Sequence, residues 1–517
     1  MTGPMSAPGI GSVGLPGTGI PGLGLPAAPA VDTAAIQDLA RQAADLSAKV
    51  GQLAGKAMEP VGRLDVFHGY MGVFVVAFLV ALVATPLMRL LAIRHGVVDR
   101  PNEARKIHRV PVAYLGGVAV YLGILGGILF AYTAPFHSLV FDPRTPDEIG
   151  LPAAVPISIL LGMTVIMICG LVDDVVGLSP RLKIAGMLFA AAALATEDVG
   201  VKVAAGLLIP IAKSLSVPVA MLPGGIETIL LHLPIGGGAG MTIDVVYWTG
   251  TAVIALFVLG ACNASNLIDG LDGLLSGTTA ITAAGLLIIA LGLAVAQGPT
   301  GLLGDGPRDA PRIVLCLALL GACLGFLPHN FNPATIFLGD TGSLMLGYVT
   351  IAIVLTMGDT GKTHLVLAGL VIYALPIMDT TLAIVRRKMS GKRISDPDDQ
   401  HLHHMLKRHL GVKGAAFMLY IIAGSFGVLG VALAEEARQR VTYALVLVMA
   451  SFIGVIAMKI GRREHIERQM REAEEKRRAE AGGKGAMAGP VPAPVPVGAS
   501  LEEASGDGTK ASATIGR

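Results

Sequence analysis

Apolar residues run along this chain in long unbroken blocks, and short polar clusters sit at the block ends rather than inside them. Blocks near 66–93, 114–134, 153–171, 182–196, 243–262, 273–296, 311–328, 343–357, 364–385, 413–433 and 441–460 approach the ~20 residues that carry a helix across hydrocarbon. The pattern predicts an all-α polytopic membrane protein with about eleven transmembrane helices. Strict alternation of apolar and polar residues, the mark of a membrane β-barrel, is absent. One stretch breaks the rhythm. Residues 197–242 carry Pro210, Pro218, Pro223, Pro234 and the run Gly236-Gly237-Gly238, which predicts an interfacial piece and a small hairpin on the far side of the membrane.

Outside the blocks the chain changes character, and three domains are expected: 1–62, 63–460 and 461–517. Residues 1–30 are rich in Gly and Pro and offer little to bury. From Ile36 the positions Leu39, Ala43, Leu46, Val50, Leu53 and Ala57 step by three and four. Heptads this diluted by alanine suit a helix lying on the membrane or on its own domain better than a zipper joining copies of the chain. No cleavable leader is expected, because a basic segment followed by an apolar one is missing. Beyond Gly461 a charged helix leads into a Pro/Ala/Gly tail.

Composition agrees with the pattern: 53% of the 517 residues are hydrophobic and 15% charged, a balance outside the range of soluble globular chains. The net charge of +2 says less than its distribution. Arg89, Arg94, Arg100, Arg105, Lys106 and Arg109 crowd the loop after the first block, against Arg144 alone after the second, which predicts that the former is cytoplasmic. The stretch from Arg386 to Lys413 agrees. Eleven spans then place the N-terminus outside and the C-terminus inside. Cys169, Cys262, Cys316 and Cys323 lie in or at the ends of apolar blocks without metal-ligand spacing, so they read as small hydrophobes. There is no nucleotide-cradling G-x-x-x-x-G-K-[ST] loop to drive transport, and no aromatic-interleaved basic surface for nucleic acid.

Alternating the spans brings four polar clusters to one membrane face: Asp173-Asp174, Asn263 to Asp272, Asn332 to Ser343, and His401 to His404. Ionised side chains beside hydrocarbon are costly and are usually kept for chemistry or transport. Adjacent Asp173 and Asp174 call for a cation nearby. Spaced three apart, Asn266, Asp269 and Asp272 would lie along one side of a helix if the segment is helical, and their oxygens are hard donors of the kind Mg²⁺ prefers. Each cluster also has a plain structural reading, as a helix terminus or a turn. In Gly339-Asp340-Thr341-Gly342-Ser343 the acid suits a metal, and the backbone N–H groups of a helix start suit an anion. The basic residues flanking His401, His403 and His404 suit a diphosphate.

Taken in order, the loop GVVDRPNEARKIHRVPVAYLGG, the acid pair with its downstream lysine, NASNLIDGLDGL, FNPATIFLGDTGS and HLHH resemble the polyprenyl-phosphate N-acetylhexosamine-1-phosphate transferases over about residues 66 to 460. The resemblance implies a Mg²⁺-dependent enzyme, with Mn²⁺ as a substitute, that joins a UDP-sugar to a polyprenyl phosphate at the cytoplasmic face of the plasma membrane. It implies Asn266 and Asp340 as metal ligands, with Asp173 and Asp174 near the metal and the lipid phosphate. Lys183 contacts phosphate by the same resemblance, Gly270 and Phe337 enclose the uracil, and Asp269 and Asp272 lie near the nucleotide. His401, His403 and His404 match the segment that meets diphosphate and sugar. Asp99, Arg105, Lys106 and His108 match substrate-binding positions without a specific role. The order His401-Leu402-His403-His404 departs from the three consecutive histidines of the phospho-N-acetylmuramoyl-pentapeptide branch and is similar to the N-acetylglucosamine branch. A cation-coupled transporter would carry acids near span midpoints and show inverted repeats. A membrane scaffold gives no reason for the four clusters to share a face.

Overall fold

The computed structural model describes residues 62–99, 111–132, 155–222, 226–233, 241–296, 309–358, 362–389, 401–435 and 445–456, with a few single positions elsewhere. The heptad segment, Arg105, Lys106 and His108, and most of the charged C-terminal helix lie outside them. All elements below belong to the unit 61–517.

Helix α1 (Arg63–His95) leads into a short antiparallel pair, β1 (Val98–Asp99) with β2 (Val112–Ala113), and then α2 (Gly116–Phe130). Helices α3 (Ile157–Val176), α4 (Pro180–Thr196) and α5 (Lys202–Ser214) follow. Where one hairpin is expected there are two: β3 (Ala220–Leu222) with β4 (Ile226–Thr228), and β5 (Leu230–Leu233) with β6 (Met241–Asp244). Asp244 ends the second hairpin and caps α6 (Val245–Ile268), accepting the Tyr247 N–H at 2.9 Å and the Thr228 hydroxyl at 2.5 Å. The order continues with α7 (Leu274–Ala296), α8 (Asp309–Asn330), α9 (Gly339–Met357), α10 (Thr363–Ile372), α11 (Ala374–Met389) and α12 (Leu402–Ala434). A further apolar helix covers Leu445–Ile456.

Every expected block is occupied by helix, yet among the described residues seven helices are long and apolar enough to cross a membrane, or eight if one bent pair counts as a span. That pair is the block 364–385, which is not straight: α10 and α11 meet at 76°. Pro376 explains the break, because its ring clashes with the carbonyl of Ile372, the last residue of α10. The Tyr373 hydroxyl fixes the elbow to α6 through Ser265 at 2.5 Å and the Ala261 carbonyl at 3.1 Å. The last long block is also longer than expected. Helix α12 begins at Leu402, and a non-helical Gly411 (φ 71°, ψ 178°) separates a short histidine-bearing segment from the apolar run.

Helix α9 is the axis of the bundle, with 94% of its apolar window buried against α3, α6, α2 and their neighbours. A helix apolar on all sides belongs in such a place. Both of its ends are held by charge. Asp174 at the end of α3 accepts the Asp340 and Thr341 backbone N–H groups at 2.8 and 2.9 Å. At the other end the guanidinium of Arg312, 1% exposed, donates twice to the Thr356 carbonyl, at 3.0 Å from Nε and 2.6 Å from Nη2. A carboxylate at the N-terminus and a cation at the C-terminus both oppose the helix dipole favourably.

Candidate active site

The site is assembled where α3, α6 and α9 end on one side of the bundle. Because α9 starts against the last turn of α3, the backbone must turn sharply at Gly339, which has φ +68° and would bring a Cβ to 2.4 Å from Asp174 Oδ2. Glycine alone satisfies both constraints. The first turn of α9 therefore presents the Asp340 side chain beside α4 and α6. Lys183 Nζ lies 2.6 Å from Asp340 Oδ2 and 2.6 Å from Asp173 Oδ2, one cation bridging two carboxylates. Asn266, in the last turn of α6, donates its amide to Asp340 Oδ1 at 2.9 Å and to Ser343 Oγ at 3.0 Å.

Next to this cluster opens a cavity of about 360 Å³, lined among others by Asp99, Tyr114, Asn266, Asp269, Gly270, Asp272, Phe337, Asp340 and His404. Two walls are backbone-stitched. The β2 strand meets the segment before α9 through Phe337 N to Ala113 O (2.8 Å), Gly116 N to Phe337 O (3.0 Å) and Gly117 N to Leu338 O (2.9 Å). This stitching sets the Tyr114 ring edge-on to Phe337, with centroids 6.1 Å apart. The opposite wall is the turn after α6. Asp272 there accepts the Asn332 amide at 2.8 Å and the Ala334 N–H at 3.0 Å, while Asn330 accepts the Gly273 N–H at 3.2 Å and the Ser276 hydroxyl at 2.9 Å.

Several sequence expectations are corrected here. Asn266, Asp269 and Asp272 do not share a helix face, since α6 ends at Ile268 and Asp269 is its cap. The N–H groups of Asp340 and Thr341 are not offered to an anion, because both oxygens of Asp174 already accept from this turn, including the Thr341 hydroxyl at 2.6 Å. Asp174 thus serves as a cap, while Asp173 faces Lys183. Of the three histidines only His404 reaches the cavity; His401 and His403 are buried behind it.

Some residues of the site escape a reading by motif. Tyr114 hydrogen-bonds Asp99, and burial, followed by Asp99, Asp174 and Asp340, raises its phenol so that it stays a donor. Asp379 in α11, 1% exposed, accepts the Leu402 N–H at 2.7 Å and lies 3.0 Å from His401 Nδ1. Its signal was available: it is the single acid of the block 364–385.

The electrostatics favour an added cation. Burial, then Asp340, Asp174 and Asp272, push the Asp269 carboxyl up to about 8 from its ordinary 3.8. Between those values the folded chain holds a proton that the unfolded chain releases, so metal-free stability should fall as pH rises through that window. A melting temperature of metal-free protein that does not move across the interval would count against it. Among the described residues no three His, Cys, Asp or Glu side chains form a closed metal cage. The oxygens at hand, from Asp340, Asp269 and a rotated Asn266 amide, suit a hard ion that keeps several waters.

The chain is similar to known proteins over most of its length. Residues 156–358 match the model of glycosyl transferase family 4. The chain is 31% identical over 400 residues to the decaprenyl-phosphate N-acetylglucosaminephosphotransferase of Mycolicibacterium smegmatis, covering 74% of this chain and 87% of that protein. It is 30% identical over 390 residues to the probable undecaprenyl-phosphate N-acetylglucosaminyl 1-phosphate transferase of Bacillus subtilis, covering 75% and 91%. A phospho-N-acetylmuramoyl-pentapeptide-transferase of Bacillus cytotoxicus is 29% identical over 344 residues, covering 64% and 87%.

Proposed function

This chain belongs to glycosyl transferase family 4, and we propose that it transfers N-acetylglucosamine 1-phosphate from its UDP-sugar to a polyprenyl phosphate, releasing UMP and starting a cell-envelope polysaccharide. The observation that carries the reading is the Asp173–Lys183–Asp340 bridge, with Asn266 on the same carboxylate, opening onto a cavity walled by Phe337 and Gly270. The order His401-Leu402-His403-His404 and the longer matches to the N-acetylglucosamine enzymes favour that sugar over the muramoyl-pentapeptide.

In this reaction a lipid phosphate oxygen attacks the sugar-proximal phosphorus, the bond from that phosphorus to the UMP oxygen breaks, and the sugar C1–O bond is untouched. Two anions must meet, so charge neutralisation and positioning supply most of the acceleration. Lys183 is poised for this: held between Asp173 and Asp340, its ammonium has a third proton to give a phosphate oxygen. Phe337 offers a ring face for a base, and Gly270 lets the His403 imidazole pack against the cavity wall, as a Cβ there would lie 2.3 Å from His403 Nε2. Tyr114 donates at the cavity floor. Asn266 and Asp340 would hold a magnesium ion, which when bound offsets the diphosphate charge and assists the leaving phosphate.

We place this site at the cytoplasmic face of the plasma membrane, with eleven crossings and both hairpins on the far side, because the cavity-lining residues Asp99 and His404 belong to the two sequence stretches, 94–109 and 386–413, that are richest in basic residues. The test is to supply purified protein with a short polyprenyl phosphate, Mg²⁺ and a panel of UDP-sugars, and to follow UMP. Release is expected with UDP-N-acetylglucosamine and its abolition by EDTA. No UMP from any donor would end the proposal.

A further inference from the structure

A buried carboxylate is costly unless several donors hold it. Among the described residues, Asp379 meets that condition with groups from the start of the histidine segment. Oδ1 accepts the Leu402 N–H at 2.7 Å, and Oδ2 lies 3.0 Å from His401 Nδ1 and 3.7 Å from His403 Nδ1. His401 occupies the N-cap of α12 but makes no capping bond of its own, so the cap comes from α11. Capping uses one oxygen of Asp379. The other faces two imidazoles.

From there contact runs to the cavity without a gap. The His401 and His403 rings stack with centroids 5.5 Å apart and 18° between planes. His403 sits 4.2 Å from the His404 ring, and its Nε2 presses on Gly270 at the cavity wall. An ionised carboxylate only accepts, so the bond to Asp379 fixes the His401 proton on Nδ1. Such outer partners orient the imidazoles that touch substrate.

We infer that Asp379 is a positioning residue: it sets the tautomer of His401 and, through the His401–His403 stack and the His403–His404 contact, the angle at which His404 meets the bound diphospho-sugar. The inference rests on the transferase reading above for its kinetic consequence, but not for its geometry.

Asp379→Asn separates positioning from capping. Its amide oxygen can still accept the Leu402 N–H, but its NH₂ cannot accept from Nδ1, so His401 must change tautomer. In the UMP assay kcat should fall about ten- to a hundredfold, with KM for the UDP-sugar within about threefold and the melting temperature unchanged. His401→Gln should lose a similar amount, and the double variant no more than the worse single one. Wild-type kcat in Asp379→Asn, or additive losses, overturns the inference. If the wild-type protein releases no UMP at all, the functional reading fails instead, and the tautomer is read directly. In ¹⁵N-histidine-labelled protein the signal lost in His401→Gln should show a proton on Nδ1, and should shift to the other tautomer in Asp379→Asn. A His401 without a proton on Nδ1 in the wild type overturns the inference, even if the variant fails to fold.

Discussion

Replacing Asp340 with alanine is expected to lower the rate of UMP release by about a thousandfold, with little change in melting temperature. The two parts of this expectation have separate causes. The backbone of Asp340 is held by Asp174, a contact that survives the substitution. Lys183 keeps Asp173 at 2.6 Å, so no half-buried cation is stranded. What disappears is the one carboxylate that meets both Lys183 and Asn266 and also lines the cavity. Without it, Lys183 is held from one side only and Asn266 loses its carboxylate, at the point where two anionic substrates must approach. Turnover equal to wild type would remove Asp340 from the reaction centre.

Asp174→Ala should behave in the opposite way, losing stability first and activity as a result. Its carboxylate satisfies two backbone N–H groups and the Thr341 hydroxyl at the start of the most buried helix. Leaving a buried donor unsatisfied costs about 1–3 kcal/mol, so a total on the order of 3 kcal/mol is expected after relaxation. A thermal melt in detergent should show a drop of several degrees or more, and rate per folded molecule should fall because Asp340 is no longer aimed. Asp174→Asn, which keeps one accepting oxygen, should fall between. An Asp174→Ala protein that melts as wild type yet does not turn over would assign the residue to chemistry rather than to the cap.

The helical, membrane-embedded character of the chain was legible because blocks of about 20 apolar residues have few other uses. Asp173, Lys183, Asn266 and Asp340 were legible because polar residues at block ends stand out against such a background, and the structure brings these four together. What could not be read from spacing was the division of labour between neighbours. Asp173 and Asp174 are adjacent, yet a helix turns about 100° per residue, so one meets Lys183 and the other meets the end of α9. Asn266 lies inside α6 and Asp269 caps its end, a boundary that spacing alone does not give. The elbow at Tyr373 needed Pro376 to be weighed against an apolar run that otherwise reads as one span. Asp379 was overlooked because its partners lie in the next element, 22 residues on, where no local pattern joins them.

The two-ended clamp on α9 bears on how the protein lives with its lipids. That helix spans roughly 28 Å and is walled off on all sides, whereas α1 and α3 show only 28% of their apolar windows to the protein interior. Stretching or thinning of the bilayer is therefore expected to be taken up by tilt of α1, while α3, joined to α9 through Asp174, stays with the pillar. The pillar between Arg312 and Asp174 should keep its length, so UMP release is expected to vary little with acyl chain length when the protein is assayed in vesicles of different thickness, and a steep dependence would count against it.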